Sequence, residues 1–121
     1  MNSQASETAL LKANIRDILD NLTEGVWIID PDFCVVEINN SAREMAFNHL
    51  SDKSALHFNA VEGLTEYEQQ VWSELYERCL DGEIITVEIK NIHKVHQILS
   101  VTLKPLEADN IIIGALVTAK D

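Results

Sequence analysis

The fold of this chain is decided in residues 25–39, which read GVWIIDPDFCVVEIN. Residues 26–29 and 34–38 are short, mostly apolar runs rich in valine and isoleucine, which favour β-strands. Between them, Asp30-Pro31-Asp32 is typical of a turn, because proline presets the backbone of the first central position and aspartate bonds the backbone amides ahead. Two strands joined by a short turn predict a β-hairpin.

An amphipathic helix is predicted before the hairpin, over residues 6–22. Its apolar positions recur at spacings of three and four residues and so share one helix face: Thr8, Leu11, Ile15, Ile18 and Leu22. This stripe either packs on the sheet of its own domain or forms the seam of a dimer, and a domain-swapped arrangement allows both. We therefore treat residues 1–22 as an N-terminal flanking helix, with these candidate dimer contacts: Leu11, Ile15, Ile18 and Leu22.

A short helix is predicted directly after the hairpin. Ser41 and Glu44 have the S-x-x-E spacing of a capping box, with Asn39 or Asn40 as alternative caps.

The longest predicted helix begins at a second capping box, formed by Thr65 and Glu68, and ends before Gly82. Its apolar stripe is expected to cover the core: Leu64, Val71, Trp72, Leu75 and Cys79.

Three strands are predicted in the last third of the chain, at residues 85–90, 98–104 and 111–119. The first two alternate apolar and polar side chains, whereas the third is apolar on both faces, as a central strand should be. Connections are expected near residues 91–94 and 107–110. The order of elements predicts an α+β fold with five antiparallel strands and the helices on one face of the sheet.

The charge balance argues against several classes of partner. Nine Lys+Arg against twenty Asp+Glu give a net charge of −11, which repels nucleic-acid backbones and anionic lipid surfaces. The apolar runs are far shorter than the roughly 20 residues that cross a bilayer, and residues 1–7 lack the pattern of a secretory signal. We therefore expect a cytoplasmic protein with no nucleic-acid partner and no membrane insertion, in which Cys34 and Cys79 are buried free thiols.

Five pieces of the sequence, taken in order, resemble the PAS family of sensor domains. They are EGVWIIDPD at 24–32, VEIN at 36–39 (with an alanine and a methionine soon after), LDGE at 80–83, LKPL at 103–106 and the stretch 114–121. The likeness covers residues 13–121 and implies a PAS-like sensor domain at 23–121 behind the flanking helix. The chain departs from the family pattern near Phe47, where many members have a glycine that closes the first core helix.

Four residues within these pieces have expected structural roles. Gly25 lets the chain turn sharply from helix into strand, and Asp30 bonds backbone amides in the hairpin turn. Asn39 satisfies amides where the second strand meets the next helix, and Pro105 fits a strand end, where no ladder donor is needed. None of them is expected to be catalytic.

The resemblance implies a sensory input or signal-relay domain at the N-terminus of a bacterial signal-transduction protein. Its output would be a diguanylate cyclase (GGDEF) domain or a histidine kinase, and its other partners would be a second copy of the chain and a small ligand. A pure protein–protein interaction module without a ligand is the alternative. A small α+β enzyme is a third hypothesis, but the chain has no phosphate-binding loop and no nucleophile motif.

The candidate pocket residues lie on the long helix, on the strands that face it and in the loop before it: His57, Phe58, Trp72, Leu75, Cys79, Ile89, Leu99 and Val101.

Flavin-binding members of the family have a reactive-cysteine segment that is absent here. Haem-binding members offer a histidine from the long helix, and residues 66–81 contain none. Haem and flavin are therefore not expected. His93 and His96 face opposite sides of a strand, so no metal site is predicted.

Overall fold

A computed structural model describes residues 17–45, 47, 56–90 and 97–121. Its elements are β1 (Gly25–Ile29), β2 (Val35–Ile38), α1 (Asn40–Met45), α2 (Glu66–Leu80), β3 (Ile85–Lys90), β4 (Ile98–Ala108) and β5 (Ile111–Lys120). Within these residues the five strands form one antiparallel sheet in the order β2-β1-β5-β4-β3. The predicted five-stranded antiparallel sheet is confirmed, and β5 is its central strand.

The predicted N-terminal helix is confirmed only at its end, since residues 17–21 are helical. Leu11 and Ile15 lie outside the described residues, as do His93 and His96 in the β3–β4 connection.

Both helices cover the same face of the sheet, α1 against β1 and α2 against β4 and β5. Alternate side chains of the strands point towards them, so that Leu99, Val101 and Leu103 of β4 are almost inaccessible to solvent. Trp27 and Ile29 of β1 join the same core. The core therefore lies between one sheet face and the helices.

The β1–β2 hairpin closes through the side chain of Asp30. Its Oδ1 accepts hydrogen bonds from the backbone amides of Asp32 (2.9 Å) and Cys34 (3.0 Å). Phe33 has a φ of 67°, so the turn is longer than the predicted triplet. The return strand consequently begins at Val35 rather than at Cys34.

The two predicted capping boxes have different outcomes. At α2, the Thr65 hydroxyl accepts from the Glu68 amide (3.2 Å) and the Glu68 carboxylate accepts from the Thr65 amide (3.1 Å), so that box is confirmed. At α1, the Ser41 box is wrong, and the alternative cap, Asn39, is confirmed. The helix begins one residue earlier, and the Asn39 side chain accepts from the Ala42 amide at 2.9 Å.

Gly25 lies directly beneath α1. A Cβ atom at this position would stand 3.0 Å from both the Ala42 Cα and the Met45 Sδ. The glycine therefore allows the strand and the helix to approach closely. It is not required for a left-handed turn, because its φ is not positive.

Two features of β4 differ from the sequence predictions. Pro105 lies inside the strand. Because β3 begins at Ile85, opposite Leu103, it does not pair with Pro105, and this edge of β4 tolerates a residue without an amide hydrogen. The following loop is shorter than expected, because β4 and β5 are joined by Asp109 and Asn110 alone. Both have positive φ (52° and 66°), as in a type I′ hairpin turn.

Candidate functional site

Six aromatic side chains fill the space between α2, the β1–β2 hairpin and the loop before α2. Their ring centroids lie 5.2 to 5.8 Å apart in five contacting pairs, a spacing at which aromatic rings attract one another. We call them the aromatic cluster: Trp27, Phe33, Phe47, Phe58, Trp72 and Tyr76.

A cavity of about 40 Å³ remains beside the aromatic cluster. Three of the predicted pocket residues line it, namely Trp72, Ile89 and Leu99. This volume accommodates one water molecule, whereas a cavity that binds benzene measures about 150 Å³. Haem and flavin are larger still, so the residues around this cavity do not fit either group.

The other predicted pocket residues lie elsewhere in the described part of the chain. Leu75, Cys79 and Val101 are buried in the core without lining the cavity. Phe58 is half-buried, with its ring centroid 5.4 Å from that of Phe47. His57 is exposed in the loop, where its backbone amide donates to a β2 carbonyl.

The other eight lining residues were not predicted as pocket residues, and three of these are aromatic: Trp27, Phe47 and Tyr76. Tyr76 follows Trp72 by four residues and therefore shares its helix face, a signal that periodicity offered. Phe47, near which the sequence departs from the pattern that it resembles, is 4% exposed. Its ring takes up space beside Trp27, which explains in part why the cavity is small.

Trp27 and Tyr76 join the hairpin to α2 through a buried hydrogen bond. The Trp27 indole Nε1–H donates to the Tyr76 hydroxyl oxygen at 3.1 Å. Burial raises the pKa of Tyr76, and the bond from Trp27 offsets only part of that shift. Tyr76 therefore remains a neutral phenol.

A surface groove of about 300 Å³ lies between the first half of α2 and the edge strand β3. Four residues line both this groove and the cavity, so the two spaces adjoin: Glu68, Trp72, Ile89 and Lys90. Tyr67 and Val71 form the helix side of the groove. We call this space the α2–β3 groove.

The described residues hold no cluster of three or more histidine, cysteine, aspartate or glutamate side chains that would bind a metal ion. Both cysteines are free thiols. The predicted burial is confirmed for Cys79 but wrong for Cys34, which is half-buried because it lies at the end of the hairpin turn. Burial raises the pKa of both thiols, and the carboxylates of Asp30 and Asp32 raise that of Cys34 further. Both shifts favour the neutral thiol over the nucleophilic thiolate.

Asn39 links the end of the N-terminal helix to the rest of the fold. Its Nδ2 donates to the carbonyl oxygens of Leu19 (2.8 Å) and Glu24 (2.9 Å). Its Oδ1 accepts from the amides of Val26 and Ala42, both at 2.9 Å. The side chain is fully buried, with both donors and both acceptor positions used.

Two further bonds hold the same helix end to the start of α1. The Ser41 hydroxyl donates to the Leu22 carbonyl oxygen at 2.8 Å, and the Asn40 amide donates to the Asp20 carboxylate at 3.3 Å. The predicted stripe is nevertheless open at this end, because Ile18 is 61% exposed and Leu22 is 40% exposed.

No helix within the described ranges combines the length and the apolar character that a membrane span requires.

A family model described as "PAS fold" matches residues 19–121. A PAS domain from Colwellia psychrerythraea is 16% identical with a TM-score of 0.69, over 93% of this chain and 96% of that one. A sensory box sensor histidine kinase structure from Vibrio cholerae is 13% identical with a TM-score of 0.63, over 98% and 94%. The phage VqmA–DPO complex is 13% identical with a TM-score of 0.71, over 99% of this chain and 56% of that one. A search of curated protein sequences finds no match.

Proposed function

Because this chain belongs to the PAS-fold family, we propose that it is the signal-relaying input module of a signal-transduction protein and pairs with a second copy through its N-terminal helix. The output domain in this proposal is a histidine kinase or a diguanylate cyclase. Similarity to PAS domains of sensor histidine kinases supports the sensory part of the role. The flanking helix, residues 1–22, would serve pairing, and residues 23–121 would serve sensing.

The observation that carries this proposal is an exposed apolar stripe on an anchored helix end. Ile18 and Leu22 are four residues apart and therefore lie on one helix face. Apolar side chains of this size gain free energy when a partner covers them. Since Asn39 bonds the helix end to both β1 and α1, a change in how two such helices pair would displace both elements.

Ile18→Asp tests the pairing, because a carboxylate in an apolar seam opposes association. Asn21→Asp is the matched control, since it adds the same charge to the same helix end at a residue off the stripe. We expect sedimentation velocity to show a dimer for the unmodified chain and for Asn21→Asp, and a monomer for Ile18→Asp. A dimer that survives Ile18→Asp would place the interface elsewhere.

A second function, small-ligand sensing, is favoured by the α2–β3 groove. Its volume of about 300 Å³ lies at the lower end of the range for small-molecule pockets, roughly 300–1,000 Å³. The competing hypothesis, an interaction module without a ligand, predicts that small molecules do not enter the groove. Trp72 lines the groove and the cavity, so a bound ligand would shift its fluorescence emission.

A further inference from the structure

Within the part of the chain that the structure describes, the buried Tyr76 hydroxyl has no acceptor for its hydrogen. The residue is 1% exposed, and its oxygen already accepts the bond from Trp27 Nε1. A phenol also has one hydrogen to donate, and among the described residues no acceptor for it lies within bonding distance. Buried donors are nearly always paired, with water when not with protein. A partner for this hydrogen is therefore expected.

The cavity is the place for that partner, because Trp27 and Tyr76 both line it. Its volume of about 40 Å³ exceeds the roughly 10–15 Å³ that one water requires. The space suits one acceptor atom and the atom attached to it, but no ring. The occupant must accept a hydrogen bond, since Tyr76 remains a neutral donor.

The α2–β3 groove has room for the remainder of such a molecule. Its walls include the apolar parts of Val71, Trp72 and Ile89. The groove is lined by two carboxylates and one ammonium group, Glu68, Glu88 and Lys90, so it offers no excess of positive charge for an anionic ligand. The Glu68 carboxylate already accepts the amide hydrogen of Thr65 in the capping box.

We propose that the cavity and the α2–β3 groove together bind a neutral single-ring molecule that places an acceptor atom, such as a carbonyl oxygen, against the Tyr76 hydroxyl. The ring lies in the groove, and the acceptor takes the place of a buried water. This inference rests on the ligand-sensing part of the proposed function and does not depend on pairing through the N-terminal helix. A molecule of the same shape without an acceptor leaves Tyr76 unpaired and binds more weakly.

Acetophenone and α-methylstyrene test this assignment, since they have nearly the same shape and only the former has a carbonyl oxygen. Each is titrated into the protein while the indole N–H signal of Trp27 is followed by NMR. We expect acetophenone to bind about fivefold more tightly, the effect of one hydrogen bond, and to shift the Trp27 signal. Tyr76→Phe should abolish this preference. Ser73→Ala, which removes a hydroxyl from α2 away from the cavity, should retain it.

Equal affinities in the unmodified protein, or a preference that survives Tyr76→Phe, would overturn the acceptor site and leave ligand sensing in the groove standing. Failure of both probes to bind at their solubility limits would overturn ligand sensing there as well. Neither result changes the prediction that the chain forms a dimer through its N-terminal helix. If Tyr76→Phe does not fold, the two probes and the Trp27 signal in the unmodified protein decide the question alone.

Discussion

At the scale of single residues, Asn39 has the largest structural effect relative to its size. One buried amide side chain caps α1, bonds an amide of β1 and holds the end of the N-terminal helix. A group with this many buried bonds is costly to alter, because each lost partner leaves another polar atom unpaired. Asn39 is therefore the point at which the helix end and the sensory domain are most tightly coupled.

Asn39→Asp keeps the shape and the acceptor atoms but replaces the amide donor with a carboxylate that faces two carbonyl oxygens. We expect the free energy of unfolding to fall by more than about 2 kcal/mol, measured by urea denaturation at pH 7. Asn40→Asp makes the same charge change on the next, exposed residue and should cost less than about 0.5 kcal/mol. Equal losses would show that the added charge, and not the lost donor, is responsible.

A substitution at Asn110 should stabilise the protein instead of destabilising it. Its φ of 66° lies in the left-handed region, which glycine adopts without a steric penalty and which type I′ turns prefer to fill with glycine at this position. Asn110→Gly should stabilise the protein by about 0.5 kcal/mol and raise Tm by a few degrees. A fall in Tm by calorimetry would contradict the assignment of the turn.

At the scale of elements, local patterns predicted most of the structure. Alternating side chains located β3 and β4, a continuous apolar run located β5, and the Thr65–Glu68 spacing located the start of α2. Of the caps offered for α1, the Ser41 box failed and Asn39 was right, because the Asn39 side chain satisfies both the helix and the neighbouring strand. Which residue caps the helix depends on the position of β1, and the spacing of residues along the chain does not give that position.

The end of α2 has an ion pair whose effect on stability depends on pH. Arg78 lies 2.7 Å from the Glu83 carboxylate, and the hydrogen bond from Arg78 holds the pKa of Glu83 below its ordinary value of 4.5. A carboxyl whose pKa is lower in the folded state stabilises the protein above its unfolded pKa. This contribution disappears as the pH falls through the folded pKa.

Glu83→Gln should therefore destabilise the protein at pH 7 and have no effect well below pH 4.5. Since both side chains are about half exposed, the loss at pH 7 should be small and should shrink in 1 M salt. Urea denaturation across this pH range measures the difference. A loss that persists in acid would show that Glu83 acts by packing instead of by charge.

At the scale of the whole molecule, the character of the core comes from contacts between distant segments. Trp27, Phe47 and Tyr76 are far apart in the chain, and each looked like an ordinary apolar position in its own element. Among the described residues they border a cavity of about 40 Å³, which is too small for haem or flavin. Sequence periodicity predicted which face of each element is buried, but not which rings meet or how much space they leave.

The central claim is that this chain is a self-pairing PAS input module with an aromatic-filled core. Its most direct test is native mass spectrometry of the unmodified chain, compared with the mass of the denatured chain. We expect the mass of a dimer, with any retained ligand no larger than a single-ring molecule. A monomer at micromolar concentration, or a retained mass the size of haem or flavin that is lost on denaturation, would contradict it.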